Sequence, residues 1–312
     1  MLGKTLILVN IKGWREKQIL LTGLADVEML YYPVSKFQKK LRNVHYHMNG
    51  DKSYWYGNWK YSITQYDTII LFDAFLGSDV AEYIEKKSPN TRLIVFYGNP
   101  WFNNYYLSDE VRKKCEIWSF DIEDCKKHDL KYNHQFFFRN AEKETLYKPE
   151  LASDVFFVGK DKNRLSLLMK LDEMMKNEGL TPCIHVIGER RDVMGNRVKY
   201  NMREKAFLKT KEIPYEIVLQ YNKASKCLLE IMQAGQVGLT LRMVEAMFFN
   251  KKIITNNISV KQFDFYSPDN IYIIGEDSRS ISDFVLNENF GWDEKWQTLY
   301  SFEHWLQIFD EG

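Results

Sequence analysis

The residues best suited to chemistry lie in one segment, Gln233–Met247, which reads QAGQVGLTLRMVEAM. Its first part predicts the end of a strand and a glycine-containing turn, and its second part predicts the start of a helix. The first amides of a helix have no partner within it and lie at the positive end of the helix dipole, so they suit a phosphate. A carboxylate further along the helix, Glu245, can accept hydrogen bonds from sugar hydroxyls. The segment therefore indicates a pocket for a nucleotide or nucleotide-sugar.

Arg242 and Glu245 are three residues apart and share one face of this predicted helix. An ion pair on a protein surface contributes little energy, and that interpretation competes with a functional one. The glycine turn before the helix and the strand Lys252–Thr255 directly after it favour the functional interpretation.

The elements that must position this segment are short apolar strands that alternate with helices. Strands of this kind are typical of parallel βαβ units, so we predict an α/β fold with two Rossmann-like domains. The boundaries are 1–150 and 151–290, with a polar link at Asn140–Ser153, followed by an amphipathic helix at 291–312 that packs back on the N-terminal domain. The predicted strands are Thr5–Asn10, Val27–Tyr32, Asp67–Asp73, Arg92–Tyr97, Glu116–Phe120, Asp154–Gly159, Pro182–Ile187, Lys226–Ile231, Lys252–Thr255 and Asn270–Ile274.

Composition limits the partners. The net charge of the 312 residues is +1, which argues against a nucleic-acid partner, so we predict none. The four cysteines form no C-x-x-C pair, and no run of about 18 apolar residues occurs. We expect a cytoplasmic protein that can contact the inner face of a membrane without crossing it. The basic stretch Arg197–Lys211 is a solvated segment, or a segment attracted to anionic lipid headgroups, with nucleic-acid binding as the third alternative because the rest of the chain is near neutral.

The sequence GQVGLTLRMVEAMFFNKKIITNN resembles the donor-site segment of bacterial glycosyltransferases with the GT-B architecture, in which two Rossmann-like domains face each other across a cleft. The resemblance covers mainly Asp154–Ile274 and is closest to enzymes of capsule, exopolysaccharide and lipopolysaccharide assembly. It implies a hexosyltransferase that moves a sugar from a UDP-sugar to a saccharide or lipid-linked saccharide acceptor. The donor is a substrate, and the resemblance implies no cofactor.

The same resemblance assigns roles to residues of the second domain. Glu245 would bind the ribose hydroxyls, the amides at the helix start would meet the diphosphate, and Arg242 would help to neutralise it. The loop after the first strand of this domain resembles a second family element, in which Lys160 and Arg164 would offset charge on the departing diphosphate. An ordinary polar turn is the alternative. The predicted donor-binding residues are Gly159, Gly238, Leu239, Thr240, Leu241, Arg242 and Glu245.

The stereochemical course stays open, because many retaining members carry an acid where this chain has Val237. An inverting enzyme needs a general base near the acceptor hydroxyl. Asp73, Asp121 and His128 are the candidates, since they lie at or after strand ends in the N-terminal domain. The acidic run that begins at Asp121 more simply caps a helix than chelates a cation, and we predict no essential metal.

Two other functions are compatible with this fold. One is a non-catalytic accessory subunit of a glycosyltransferase complex. The other is an enzyme that modifies nucleotide-sugars, such as a dehydrogenase or epimerase. That second function needs a G-x-G-x-x-G turn after the first strand, and Asn10–Trp14 lacks it.

Overall fold

The chain divides into two compact units. The computed structural model describes residues 2–48, 50–72, 78–100, 109–189, 197–233 and 237–311. The first unit comprises Met1–His134 with Phe302–Gly312, and the second unit comprises Gln135–Ser301. Each unit contains its own parallel sheet with helices packed against it. The predicted fold class, with two parallel-sheet α/β domains, is confirmed.

The first unit is built on six strands: β1 (Thr5–Val9), β2 (Asp26–Met29), β3 (Thr68–Phe72), β4 (Arg92–Tyr97), β5 (Glu116–Ser119) and β6 (Lys131–Tyr132). They pair in the order β2-β1-β3-β4-β5-β6, and every pair is parallel. β1 and β3 are buried along their whole length, as expected when helices cover both faces of a sheet. The sequence did not predict β6, because its two exposed residues form no apolar run.

In the described residues these strands are connected by five helices: α1 (Trp14–Thr22), α2 (Lys36–Tyr46), α3 (Ser78–Lys87), α4 (Asp109–Arg112) and α5 (Ile122–His128). Three short 3₁₀ turns, Ser53–Trp55, Asn58–Tyr61 and Ile63–Gln65, lie between α2 and β3. Trp55, Trp59 and Ile63 of these turns are buried in the core beside the sheet, and the Trp59 indole donates a hydrogen bond of 2.9 Å to the Leu30 carbonyl. The long connection from β2 to β3 is therefore fixed to the sheet at its C-terminal half.

The second unit is built on five strands: β7 (Val155–Lys160), β8 (Pro182–Ile187), β9 (Cys227–Glu230), β10 (Lys252–Thr255) and β11 (Ile271–Ile273). They pair in parallel in the order β11-β10-β9-β7-β8. The loops that follow β7 and β9 therefore lie side by side at one edge of the sheet. The helices are α6 (Ala141–Glu144), α7 (Leu165–Asn177), α8 (Met202–Phe207), α9 (Tyr215–Ala224), α10 (Leu241–Phe248), α11 (Ile281–Leu286) and α12 (Glu294–Leu299), with 3₁₀ turns at Pro149–Leu151 and Ile258–Gln262.

The C-terminal segment differs from the single predicted helix. It forms α12 and a separate helix, α13 (Phe302–Glu311), with a break at Tyr300 and Ser301. The break arises because the Tyr300 carbonyl accepts a hydrogen bond of 2.9 Å from the Phe137 amide. The apolar side chains of α13 are buried in the first unit, which confirms that a C-terminal helix packs on the N-terminal domain. Within the described residues, no helix combines the length and the apolar character needed to cross a bilayer.

One ion-pair network joins four elements of the first unit. Arg92 on β4 donates to both oxygens of Glu116 on β5, at 2.5 and 2.8 Å, and to the Phe309 carbonyl of α13 at 2.7 Å. Lys131 on β6 donates to the same carboxylate at 3.0 Å. These hydrogen bonds, led by those from Arg92, lower the pKa of Glu116 to about 2. The carboxylate is therefore held in its charged form.

We expect Glu116→Gln to destabilise the first unit by about 1–3 kcal/mol at pH 7, the usual range for hydrogen bonds to a charged group. Since the folded pKa is lowered, this stability is present above the unfolded pKa and is lost as the pH falls towards about 2. The difference in urea denaturation between wild type and variant should therefore shrink below pH 4.5. Glu123→Gln is the control, because its pair with Lys126 is exposed. Equal effects of the two variants would contradict a stabilising role for the Glu116 network.

Candidate functional site

The start of α10 presents unpaired backbone donors. Thr240 is the N-cap, and its hydroxyl accepts hydrogen bonds from the amides of Arg242 at 3.1 Å and Met243 at 3.4 Å. The preceding amides, of Leu239, Thr240 and Leu241, make no hydrogen bond within the described part of the chain. Three donors thus remain at the positive end of the helix dipole, an arrangement that suits a phosphate.

The pair of Arg242 and Glu245 is buried, which excludes the interpretation as a surface ion pair. Glu245 is 2% exposed, and its Oε2 lies 2.9 Å from Arg242 Nη1. Asn222 of α9 donates to the same oxygen at 3.0 Å and accepts from Arg242 at 2.8 Å. The Tyr215 hydroxyl donates to the other oxygen. A carboxylate has about four acceptor positions, so three are in use and one is left for a further donor such as a sugar hydroxyl.

Arg164 lies against the end of β7, and a glycine makes room for it. Its guanidinium donates to the Lys160 carbonyl at 3.0 and 3.1 Å and to the Ile231 carbonyl. A Cβ atom at Gly159 would lie 2.8 Å from Arg164 Nη2 and 3.3 Å from the Phe157 ring. Gly159 is therefore required for the close approach of Arg164 to the strand.

The two arginines line one cavity of about 240 Å³ at the carboxyl ends of β7 and β9. Burial, and then the charge of Arg242, lower the pKa of Arg164 to about 10, so Arg164 is still a cation at neutral pH. A bound diphosphate would relieve the repulsion between them. Ligands of open α/β sheets bind at this edge. The lining residues are Phe157, Val158, Arg164, Tyr215, Leu229, Glu230, Ile231, Met232, Thr240, Leu241, Arg242 and Glu245.

A second buried carboxylate, Glu230 at the end of β9, supports the start of α10. The hydroxyls of Thr240 and Thr255 each donate to one of its oxygens, the latter at 2.5 Å. Burial raises the pKa of Glu230. Sequence reasoning missed this residue, together with Tyr215, Asn222 and Thr255. The only available signal was that Glu230 is a charged residue at the end of an apolar strand.

The structure separates the two basic residues predicted after β7. Arg164 enters the cavity, whereas the exposed Lys160 ammonium pairs with Glu212 at 3.5 Å and does not line the cavity. Asp161 between them caps α7 by accepting from the Arg164 and Leu165 amides. Gly238 is buried directly before the helix start. Residues 234–236 of the predicted turn lie outside the described residues.

The three base candidates of the first unit have different surroundings. Asp73 lies outside the described residues. Asp121 is the buried N-cap of α5 and accepts from the Glu123 amide at 3.0 Å and the Asp124 amide at 3.3 Å, which confirms its capping role. His128 lies in the last turn of α5, shortly before β6 begins, and therefore near the amino ends of the strands. The described residues contain no cluster of three or more metal-ligating side chains.

Comparisons with known proteins identify relatives of the fold. No protein-family model and no curated protein matches the chain significantly. One similar solved structure is an α-glucosyltransferase in complex with UDP and a 13-mer DNA containing a central A:G mismatch, with a TM-score of 0.55, 10% identity, and coverage of 99% of this chain and 92% of that one. Another is an α-glucosyltransferase in complex with UDP-glucose and DNA containing an abasic site. Its TM-score is 0.53 and its identity 10%, and the match covers 98% of this chain and 92% of that one.

A third similar structure is the DNA-modifying enzyme β-glucosyltransferase, in the presence and absence of uridine diphosphoglucose. Its TM-score is 0.50 and its identity 14%, and the match covers 98% of each chain. This chain has the GT-B fold. The fold expected from the sequence is thereby confirmed. None of the three structures is described as an enzyme of surface polysaccharide assembly.

The prediction that excluded nucleic acid from the partners is wrong. Two of these similar proteins were solved with DNA, and the third is a DNA-modifying enzyme. The exclusion was drawn from net charge, which averages over the whole chain. A nucleic acid contacts one local surface, so a near-neutral chain can still carry a basic surface large enough to bind it.

We expect Thr240→Ala to destabilise the second unit by more than an ordinary cap substitution, which costs about 1 kcal/mol. The variant loses the α10 cap and also removes one of the two donors to buried Glu230. Ser280→Ala at α11 is the matched control, since Ser280 caps through its hydroxyl and has no such carboxylate partner. Urea denaturation measures both variants, and Thr240→Ser should restore stability. Equal losses in the two alanine variants would contradict a structural role for the contact with Glu230.

Proposed function

We propose that this chain is a glycosyltransferase that transfers a sugar from a UDP-sugar to DNA. The observation that carries the proposal is the cavity in which Arg164, Arg242 and the free amides at the start of α10 converge. The GT-B fold supports it, because the similar structures contain UDP or UDP-glucose together with DNA.

The second unit would hold the donor. Three backbone amides and two guanidinium groups match a diphosphate, which carries several negative charges within a small volume. The remaining acceptor position on Glu245 would take a hydrogen bond from a ribose hydroxyl. Because Asn222 and Tyr215 hold this carboxylate in place, it would meet the ribose without a change of rotamer.

The reaction would break the bond between the anomeric carbon and the β-phosphate oxygen, and UDP would leave with the bonding electrons. The same cations that bind the donor would stabilise the charge that develops on the leaving group. A new bond would form between the anomeric carbon and an acceptor oxygen, whose proton would pass to a base. Asp121 caps α5 and His128 lies away from the strand carboxyl ends, so we infer that Asp73, which directly follows β3 in the sequence, acts as that base.

The chemistry of the acceptor restricts which DNA can react. The bases of unmodified DNA carry no alcohol hydroxyl, so the proposed acceptor is a base that bears a hydroxymethyl group. Such a base must leave the helical stack to reach an enzyme cavity, as in other enzymes that modify bases.

We expect Glu245→Gln to weaken UDP binding about tenfold and to leave pyrophosphate binding unchanged or tighter. The substitution removes a charged acceptor for ribose, a hydrogen bond of about 1.5 kcal/mol, but keeps both arginines. Arg242→Gln should weaken both ligands, because it removes a cation from the diphosphate site. Calorimetry measures the affinities.

Arg203→Gln is the control for these binding measurements, since Arg203 is exposed on α8 and outside this cavity. A Glu245→Gln variant that loses UDP and pyrophosphate equally would argue against a ribose contact. It would indicate instead that Glu245 acts only by orienting Arg242.

We expect incubation with radiolabelled UDP-glucose to label duplex DNA that contains a hydroxymethylated base. Unmodified DNA of the same sequence should stay unlabelled, because it lacks the nucleophile. Lipid-linked and free oligosaccharides are tested in parallel as the acceptors that the sequence suggested. Label in a saccharide alone would contradict the DNA acceptor, and release of free glucose with every acceptor would indicate a hydrolase. UDP binding without turnover would favour an accessory subunit.

A further inference from the structure

The connection from β2 to β3 concentrates positive charge that the whole chain does not show. Between positions 30 and 66 the sequence contains six lysine or arginine residues and one acidic residue, Asp51. This segment therefore carries +5, whereas the whole chain carries +1. No acidic residue occurs between positions 30 and 50, which include all of α2.

α2 displays its cations and a set of apolar side chains on adjacent faces. At about 100° per residue, Lys36, Lys39 and Lys40 form one stripe along the helix. None of their three ammonium groups makes an ion pair or a hydrogen bond within the described residues, and all three side chains are exposed. The neighbouring stripe, which consists of Phe37, Leu41 and Val44, is also exposed, with Phe37 at 69%, and the exposed Met48 follows the helix.

The third face of α2 anchors the helix, so the two stripes are held towards solvent. Trp55 donates a hydrogen bond of 2.8 Å to His45 Nδ1. The rings of Tyr31 and Tyr46 pack edge to face at 5.9 Å, and the Arg42 guanidinium lies 4.7 Å from the centre of the Tyr31 ring. The exposure of the stripes is therefore a property of the folded unit, with the helix in a fixed orientation.

Exposed aromatic residues lie beside these cations in the sequence. Tyr54 and Tyr61 are 73% and 77% exposed. The ammonium of Lys60 lies about 5 Å from the rings of both Tyr32 and Tyr61. Cations interleaved with aromatic rings are typical of surfaces that bind nucleic acid, because cations contact phosphates and rings stack on bases.

We propose that Lys36, Lys39 and Lys40 of α2 contact the phosphates of the acceptor DNA, with the stripe that begins at Phe37 against its bases or sugars. This inference rests on the proposed function and adds the surface that holds the acceptor. DNA fits this surface because the unpaired cations complement phosphates. α2 also follows the carboxyl end of β2, on the edge where open α/β sheets bind ligands. Apolar side chains beside such cations can enter between base steps.

The test compares Lys36→Gln/Lys39→Gln/Lys40→Gln with wild type in binding to a hydroxymethylated DNA duplex at several salt concentrations. Glutamine removes the charge and keeps helix propensity. Each phosphate contact contributes about −0.9 to the slope of log affinity against log salt. The magnitude of the slope should therefore decrease by about 2 to 3 in the variant. At 0.1 M salt the affinity should fall roughly 100-fold. Phe37→Ser should lower affinity with an unchanged slope.

The matched control is Lys113→Gln/Lys126→Gln/Lys127→Gln. These exposed lysines come shortly before β5 and β6, so they lie near the amino ends of those strands, whereas α2 follows the carboxyl end of β2. The change in charge is the same as in the α2 variant. The control should keep the wild-type affinity and slope for DNA. Urea denaturation of every variant, compared with wild type, verifies that the first unit, which carries all of these substitutions, is folded.

The outcomes separate this inference from the proposed function. Wild-type labelling of DNA with an unchanged slope in the α2 variant would overturn the inference and leave the function standing. Equal losses in the α2 variant and the control would also overturn it, since the effect would then be one of overall charge. A wild type that binds UDP but no DNA would overturn both. Loss of binding to vesicles of phosphatidylserine in the α2 variant, with DNA affinity unchanged, would assign the surface to a membrane instead.

Discussion

The buried ion pair between Arg242 and Glu245 constrains the whole candidate site. Removing two charges from water is unfavourable, and such a pair persists only where further hydrogen bonds satisfy it. Here α9 supplies them through Tyr215 and Asn222, so the pair fixes α10 against α9. A pair of apolar residues would give comparable stability at less risk. In the proposed donor site both charges are used, the cation for the diphosphate and the carboxylate for the ribose.

Arg164 adds a second cation to the same cavity. Arg164 reaches the cavity from β7, and the charge of Arg242 lowers its pKa. The two cations repel each other, so a ligand with adjacent negative charges would stabilise both of them. Glu230 lies behind them, but burial raises its pKa and its oxygens accept hydrogen bonds from two threonine hydroxyls. Through these two hydrogen bonds it supports the start of α10.

The sequence predicted what depends on local pattern and missed what depends on contacts between distant residues. The strands β8 and β10 have the predicted bounds, and Thr240 caps the predicted helix, because apolar runs and capping residues act over a few positions. Tyr215 and Asn222 lie 30 and 23 residues before Glu245, and nothing in their own surroundings marks them. The break before α13 was missed for the same reason, since it depends on a hydrogen bond from Phe137.

Net charge failed as a guide for a related physical reason. Screening limits electrostatic interactions at physiological salt to about 8 Å, so a polyanion responds to the charges near its own contact surface. A proposed transferase with two anionic substrates, a nucleoside diphosphate and DNA, needs a separate cationic surface for each. Acidic residues elsewhere in the chain then limit non-specific attraction to DNA, which would otherwise compete with the acceptor site. A near-zero total charge is therefore compatible with such an enzyme, provided that its cations are concentrated where the substrates bind.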